Sequence, residues 1–132
     1  MLDRRSLFAA AAALAVVGYV VATGSGRADS AIGYDEVRKG LEQGSIVLID
    51  VRESGEFVAG HVPGAINLPL SAFSPAALPK PEGKRVVLMC RSGNRSGRAQ
   101  AAAHGAGRTD VLNYSGSMIE WTAKAGPIAT GR

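Results

Sequence analysis

At 132 residues, with 46% hydrophobic and 20% charged residues, the chain has the size and composition of one ordinary globular domain. Three arginines and one aspartate among residues 1–28 contribute to the formal net charge of +4, and without them 12 basic and 10 acidic residues leave only +2. This near balance, without a basic stripe interleaved with aromatic residues, argues against a nucleic-acid-binding protein.

The first 28 residues have the order of a bacterial export signal. Arg4 and Arg5 precede an apolar run over residues 7–22, and small residues follow up to Ala28. The arginine pair and the Ser-Leu-Phe after it resemble the twin-arginine motif, whose pathway exports folded proteins. We therefore expect a helical signal segment over residues 1–28 that is cleaved after Ala28.

The mature domain is then expected over residues 29–132, in the periplasm or otherwise exported. An uncleaved anchor, holding the domain at the inner membrane on its periplasmic side, is the alternative. The 16 residues of the apolar run fall short of the roughly 20 that a spanning helix needs, which favours cleavage.

Helical and strand patterns alternate along the rest of the chain. Two apolar runs without alternation, before Asp50 and before Cys90, are typical of strands buried on both faces. In chain order we predict a helix within 32–44, a strand at 45–50, a short helix at 56–59, a brief strand at 65–68, a Pro-rich connection at 75–84, a strand at 85–90, a helix at 96–107, a strand at 110–114 and a helix at 117–126.

This alternation predicts an α/β domain with a small parallel sheet, in which ligands bind beyond the carboxyl ends of the strands. The sequence contains no internal repeat, metal-ligand cluster or nucleotide-binding glycine fingerprint. We therefore expect neither a metal nor a cofactor.

Cys90 is the only cysteine and stands at the end of a predicted strand, where the loop "CRSGNRS" begins. A lone thiol in an exported protein either is kept for its reactivity or pairs with another molecule. The alternative is an unreactive cysteine that is buried as a small hydrophobic residue. Unpaired N–H groups and the dipole at the start of the next helix favour an anion and lower the pKa of a thiol there. We expect Cys90 to be a thiolate nucleophile.

The residues after Cys90 suit an anion cradle. Gly93 permits the backbone turn by which successive N–H groups converge on one point. The remaining side chains are small or basic: Ser92, Asn94 and Ser96, and Arg91, Arg95 and Arg98.

Three segments resemble the rhodanese family of sulfurtransferases: "LIDVRESGEFVAGHVPGAINLPL", "CRSGNRSGRA" and "YSGSMIEWTAKAGPIATG". The resemblance extends from about Ile32 to Gly131. It implies the α/β fold of that family, a small parallel five-stranded sheet with helices on both faces.

The resemblance also implies a reaction. Cys90 would accept a sulfane sulfur from thiosulfate or a similar anionic donor and pass it from a persulfide to cyanide or a thiol. The N–H groups of residues 91–95 would hold the sulfur, and Arg91 and Arg95, above all Arg95, would orient the donor. The six residues from Cys90 to Arg95 match the sulfur-transferring members, whereas related phosphatases have one residue more.

Two other functions stay open. A non-enzymatic persulfide carrier would deliver sulfur to a partner protein, and the small size favours it because no second domain encloses a substrate. Arsenate reduction or phosphatase activity also uses a thiolate in an anion cradle, but the loop length opposes it.

The other polar residues of the first segment are expected to have supporting roles. Asp50 is expected to hydrogen-bond the active-site loop, and Arg52 to pair with Glu56. His61 is expected in turn structure rather than as a base, because a thiolate needs none. A surface or packing role is expected for His104, and Tyr114 and Trp121 are expected in the core or at its rim.

Some positions depart from the family pattern. Ala103 and Arg108 stand where members carry larger apolar and aromatic residues, so the helix after the loop is expected to dock less firmly unless other residues compensate. Ser117 stands in place of the second glycine of a pair, which is expected to alter the pocket rim.

Overall fold

The computed structural model describes residues 30–132, so the predicted export signal or anchor over residues 1–28 lies outside the described part. Within residues 30–132, no helix has both the length and the apolar character needed to cross a membrane.

The predicted alternation of helices and strands is confirmed. The helices are α1 (Tyr34–Gln43), α2 (Ser54–Ala59), α3 (Asn94–Gly105) and α4 (Ser117–Ala123). The strands are β1 (Ile46–Asp50), β2 (Ile66–Asn67), β3 (Arg85–Met89) and β4 (Leu112–Asn113). The Pro-rich connection is preceded by one short 3-10 turn and begins with another, Leu70–Ala72 and Pro75–Ala77.

The strands form one parallel sheet in the order β2-β1-β3-β4. The central pair, β1 and β3, is in register over its whole length, so Asp50 lies opposite Met89. The described sheet has four strands rather than the expected five. Outside β4, Ala31 forms a single parallel bridge to Asn113, and this bridge occupies the position of a fifth strand.

Helices cover both faces of the sheet, as predicted. Alternate residues of β3 enter different cores: Val87 and Met89 pack with residues of α1 and α4, whereas Val86 and Leu88 pack with α3. Both core strands are therefore buried on two faces, which is why their sequences show no polar alternation.

α3 is docked through small residues and one buried cation. Ala99 and Ala103 are fully buried against the sheet. Arg108, only 8% exposed, donates to the carbonyl oxygens of Leu78 and Pro79 and forms a bidentate pair with Asp110. These polar contacts of Arg108, which follows α3, lie at the position where we expected the family's aromatic residue to be missing.

Candidate active site

Cys90 lies at the carboxyl edge of the sheet, directly after β3 and four residues before α3 begins. Its side chain is only 1% exposed, so the sulfur lies beneath the loop. The N–H of Gly93 donates to Cys90 Sγ at 3.0 Å, and the Ser96 hydroxyl donates to it at 3.4 Å. Two residues of the predicted cradle, Gly93 and Ser96, therefore contact the sulfur of Cys90.

The pKa of the Cys90 thiol is lowered from its ordinary value. Burial alone would raise it, but the Ser96 hydroxyl and the N–H groups of Ser96, Ser92 and Gly93 outweigh burial. Donors aimed at a sulfur favour its anionic form. The anionic form of Cys90 is thus favoured relative to a free thiol, which agrees with its position at a strand end and a helix start.

Replacing Ser96 with alanine should raise the pKa of Cys90, because the fully buried hydroxyl is a principal donor to the thiolate. We expect the pH profile of Cys90 alkylation by iodoacetamide to move to higher pH. A hydrogen bond to a charged group contributes about 1.5–3 kcal/mol, so the rate near neutral pH should fall roughly tenfold. An unchanged profile would show that main-chain N–H groups alone hold the thiolate.

Gly93 shapes the loop through its backbone. Its φ of 92° lies in the region that favours glycine. A Cβ there would lie 2.5 Å from the main-chain oxygen of Ser115. Since α3 makes its first main-chain bond from Gly97 to Gly93 O, the N–H groups of Asn94 and Arg95 have no acceptor within the helix.

The first turn of α4 hydrogen-bonds the main chain at the start of the Cys90 loop. The N–H of Met118 donates to Cys90 O, and the N–H of Ile119 donates to Arg91 O, both at 3.1 Å. The Ser117 hydroxyl accepts the N–H of Cys90 at 3.0 Å. The loop therefore rests on two helices, α3 through the sulfur and α4 through the main chain.

Arg95 is held by Glu56 of α2. Its guanidinium donates to both carboxylate oxygens, at 2.6 and 3.0 Å, and this bond holds the pKa of the Glu56 carboxyl below its ordinary value. Arg91 is exposed and makes no side-chain ion pair within residues 30–132. Of the two arginines, Arg91 is thus the one whose charge has no ion-pair partner among the described residues. The sequence had instead indicated Arg95 as the main residue that orients the donor.

The expected ion pair between Arg52 and Glu56 is wrong. Arg52 precedes α2 and folds back onto the fully buried Asp50, which accepts its N–H at 2.9 Å and its guanidinium at 2.8–3.1 Å. The same guanidinium donates to Gly60 O. The Asp50 carboxylate therefore bonds Arg52 and not the active-site loop, and the pair fixes the turn after β1.

A cleft of about 390 Å³ opens beside the loop, between α2 and α4. Its charged residues are Arg52, Glu56 and Arg91, and Ile119 is half-exposed. The remaining lining residues are Ala59, Met118 and Thr122. Sequence reasoning missed Glu56 as the partner of Arg95 and Ile119 as a rim residue, because neither position carries a signal without the fold.

A larger cleft of about 870 Å³ lies on the other side of α2 and contains none of the loop residues. His61 borders it, stacked on Phe57 with the ring centres 3.8 Å apart and with Nδ1 2.8 Å from Phe57 O. His104 lies 2.9 Å from Val111 O. Both rings serve local structure, and within residues 30–132 no group of three or more acidic, His or Cys side chains forms a metal site.

Comparison with known proteins identifies the family. The family model "Rhodanese-like domain" matches residues 33–124. The chain is 42% identical over 80 residues to the uncharacterized protein slr1261 of Synechocystis, covering 61% of this chain and 45% of that protein. It is 35% identical over 107 residues to the human thiosulfate:glutathione sulfurtransferase, covering 70% of this chain and 93% of that protein.

A solved structure shows the same fold. The human single-domain sulfurtransferase TSTD1 superposes with a TM-score of 0.64 at 33% identity, covering 74% of this chain and 98% of that one. These similarities support a sulfurtransferase activity in general terms. The chain therefore belongs to the rhodanese-like domain family.

Proposed function

We propose that the protein is a rhodanese-type sulfurtransferase that moves a sulfane sulfur from thiosulfate, or a similar anionic donor, to cyanide or a thiol. The observation that carries the proposal is the buried Cys90 sulfur, which accepts the Gly93 N–H and the Ser96 hydroxyl and has a lowered pKa. The further N–H groups of the loop favour a second anionic sulfur beside it.

The first half of the reaction forms a persulfide. The Cys90 thiolate attacks the outer sulfur of thiosulfate, a new S–S bond forms, and sulfite leaves with the electron pair of the bond that breaks. The added sulfur extends roughly 2 Å beyond Sγ, from the buried position toward the rim. Donors of the cradle then stabilise the terminal sulfur as an anion.

The second half returns the enzyme to its starting state. Cyanide or a thiolate attacks the terminal sulfur, and the electron pair of the breaking S–S bond returns to Cys90. The products are thiocyanate or a new persulfide, and no external oxidant or reductant is consumed. The name of the human relative, thiosulfate:glutathione sulfurtransferase, supports a thiol as the physiological class of acceptor.

Intact-mass spectrometry tests this proposal directly. After incubation with thiosulfate, the protein should gain the mass of one sulfur atom, and cyanide or glutathione should remove it. Protein alkylated at Cys90 beforehand is the control and should gain nothing. Absence of the sulfur adduct on untreated protein would refute sulfur transfer.

A persulfide carrier is the second candidate, favoured by the half-exposed Ile119 at the rim of the active-site cleft. An exposed apolar residue beside a charged cleft suits docking of a protein acceptor. The same experiment separates the two functions: a carrier forms the adduct and discharges it poorly to cyanide and glutathione. Release of phosphate from an aryl phosphate would instead favour the phosphatase alternative.

Replacing Arg91 with glutamine should weaken donor binding, because its unengaged charge lies at the cleft where an anion approaches. We expect KM for thiosulfate to rise roughly three- to tenfold, the loss of one partly screened charge interaction, with kcat little changed. Lys84, exposed at the other end of β3, provides a matched control, and Lys84→Gln should leave KM unaltered. Equal KM values for the two variants would show that Arg91 has no role in binding the donor.

We further propose that the protein is exported, on the basis of the signal pattern in its first 28 residues. Cell fractionation should find a shortened protein in the periplasm, and replacing Arg4 and Arg5 with lysines should retain it in the cytoplasm. A full-length protein in the membrane fraction would favour the anchored alternative.

A further inference from the structure

Ser117 has an unusual backbone for a residue with a side chain. Its φ is 53°, and among the described residues other than glycine only Ala125, with φ 55°, is also positive. This left-handed conformation is unfavourable for L-residues, and Ser117 is fully buried. Strain that persists at a buried position beside a reactive group suggests a role for the residue.

The role is indicated by the contacts of its hydroxyl. Ser117 Oγ accepts the N–H of Cys90 at 3.0 Å and donates to Tyr114 O at 2.8 Å. Both its donor and one of its lone pairs are therefore engaged, which fixes the orientation of the hydroxyl. Without it, the N–H of Cys90 would be a buried donor with no acceptor.

The other main-chain group of Cys90 is held by the same helical turn. Cys90 O accepts the N–H of Met118 at 3.1 Å. With its N–H and its carbonyl both bound to α4, the Cα of Cys90 has little freedom to move. Only rotation about the Cα–Cβ bond then moves Sγ, so a fixed main chain restricts the sulfur to a few staggered positions.

We propose that Ser117 is a positioning residue for the nucleophile: its hydroxyl holds the Cys90 main chain so that the thiolate stays within reach of the Gly93 N–H and the Ser96 hydroxyl. Glycine would adopt the backbone without strain but has no hydroxyl, and alanine would keep the strain without the hydroxyl. The proposal rests on the proposed function in one respect, that Cys90 is the reacting group.

The charged groups around Cys90 come from elements other than α4, which carries Ser117. Arg91 belongs to the loop, Arg95 to α3, and Glu56 of α2 engages Arg95. The Ser117 hydroxyl bonds only Cys90 N and Tyr114 O. Substituting Ser117 therefore changes the position of the sulfur without removing a charge from its surroundings.

Two glycine variants separate positioning from backbone strain. Ser117→Gly relieves strain and removes the hydroxyl, whereas Ala125→Gly relieves a matching strain at an exposed position after α4. Each variant is measured by the pH profile of Cys90 alkylation, by the rate of sulfur-adduct formation from thiosulfate, and by thermal unfolding. Ser117→Ala serves as a second variant that lacks the hydroxyl.

Both serine variants should move the alkylation profile to higher pH and slow adduct formation roughly tenfold, the effect of losing one hydrogen bond of ordinary strength. Ala125→Gly should leave both unchanged. A Ser117→Gly profile that coincides with wild type, or moves to lower pH, would overturn the proposal. Because alkylation requires no sulfur donor, this result is distinguishable from a failure of the wild-type protein to transfer sulfur.

Discussion

Replacing Cys90 with serine should lower thiocyanate formation from thiosulfate and cyanide by a factor on the order of a thousand or more, to the uncatalysed rate. The hydroxyl keeps its proton at neutral pH and cannot take up a sulfane sulfur as a thiolate does. The exchange replaces one small buried side chain with another, so the fold should persist. A discontinuous assay of thiocyanate, run beside circular dichroism, checks both expectations.

The same variant should change how stability depends on pH. Because the pKa of Cys90 is lowered in the folded protein, the thiolate stabilises the fold fully above the pKa of the unfolded thiol, and this stabilisation is lost as pH falls through the folded pKa. Cys90→Ser lacks this contribution. Urea unfolding at several pH values should show a smaller rise of stability with pH for the variant; identical slopes would contradict a stabilised thiolate.

Replacing Gly93 with alanine should lower kcat/KM roughly a hundredfold or more. The added Cβ would lie 2.5 Å from Ser115 O, a main-chain atom that moves only if the segment before α4 moves. The loop must then shift, and the Gly93 N–H leaves Cys90 Sγ. The positive φ adds its own cost, so the free energy of unfolding should fall by about 2–4 kcal/mol.

Gly107 provides the matched control for this substitution. Its φ of 90° is close to that of Gly93, but a Cβ there would have nothing within 4 Å. Gly107→Ala should therefore cost only about 1–2 kcal/mol of stability and leave the transfer rate unchanged. Comparable loss of activity in both variants would mean that general destabilisation, and not loop geometry, explains the Gly93 result.

The helices, the strands and the position of Cys90 at the start of the loop were predictable because local sequence determines them. Each signal determines the structure of only a few neighbouring residues. These signals are the apolar run before Cys90, the glycine at the loop turn and the alanine-rich stretch after it. The lowered pKa of Cys90 follows from the same local order, a strand end followed by a helix start. Helices on both faces follow from strands that show no polar alternation.

The partners of the charged side chains were not predictable. Glu56 binds Arg95, which is 39 positions away, and only the packing of α2 against the loop brings them together. Arg52 pairs with Asp50 because it lies before α2 in a turn, where a helical spacing argument does not apply. Among the described residues, the expected fifth strand is reduced to a single bridge between Ala31 and Asn113.

The hydroxyl contact between Ser117 and Cys90, 27 positions apart, has a consequence for synthesis on the ribosome. A chain grows from its N-terminus, so Cys90 and its loop emerge before α4. Until α4 docks, neither main-chain group of Cys90 has its partner on that helix, and the donors of the loop and of α3 have no fixed sulfur position to meet. We therefore expect the full lowering of the Cys90 pKa only once α4 has docked.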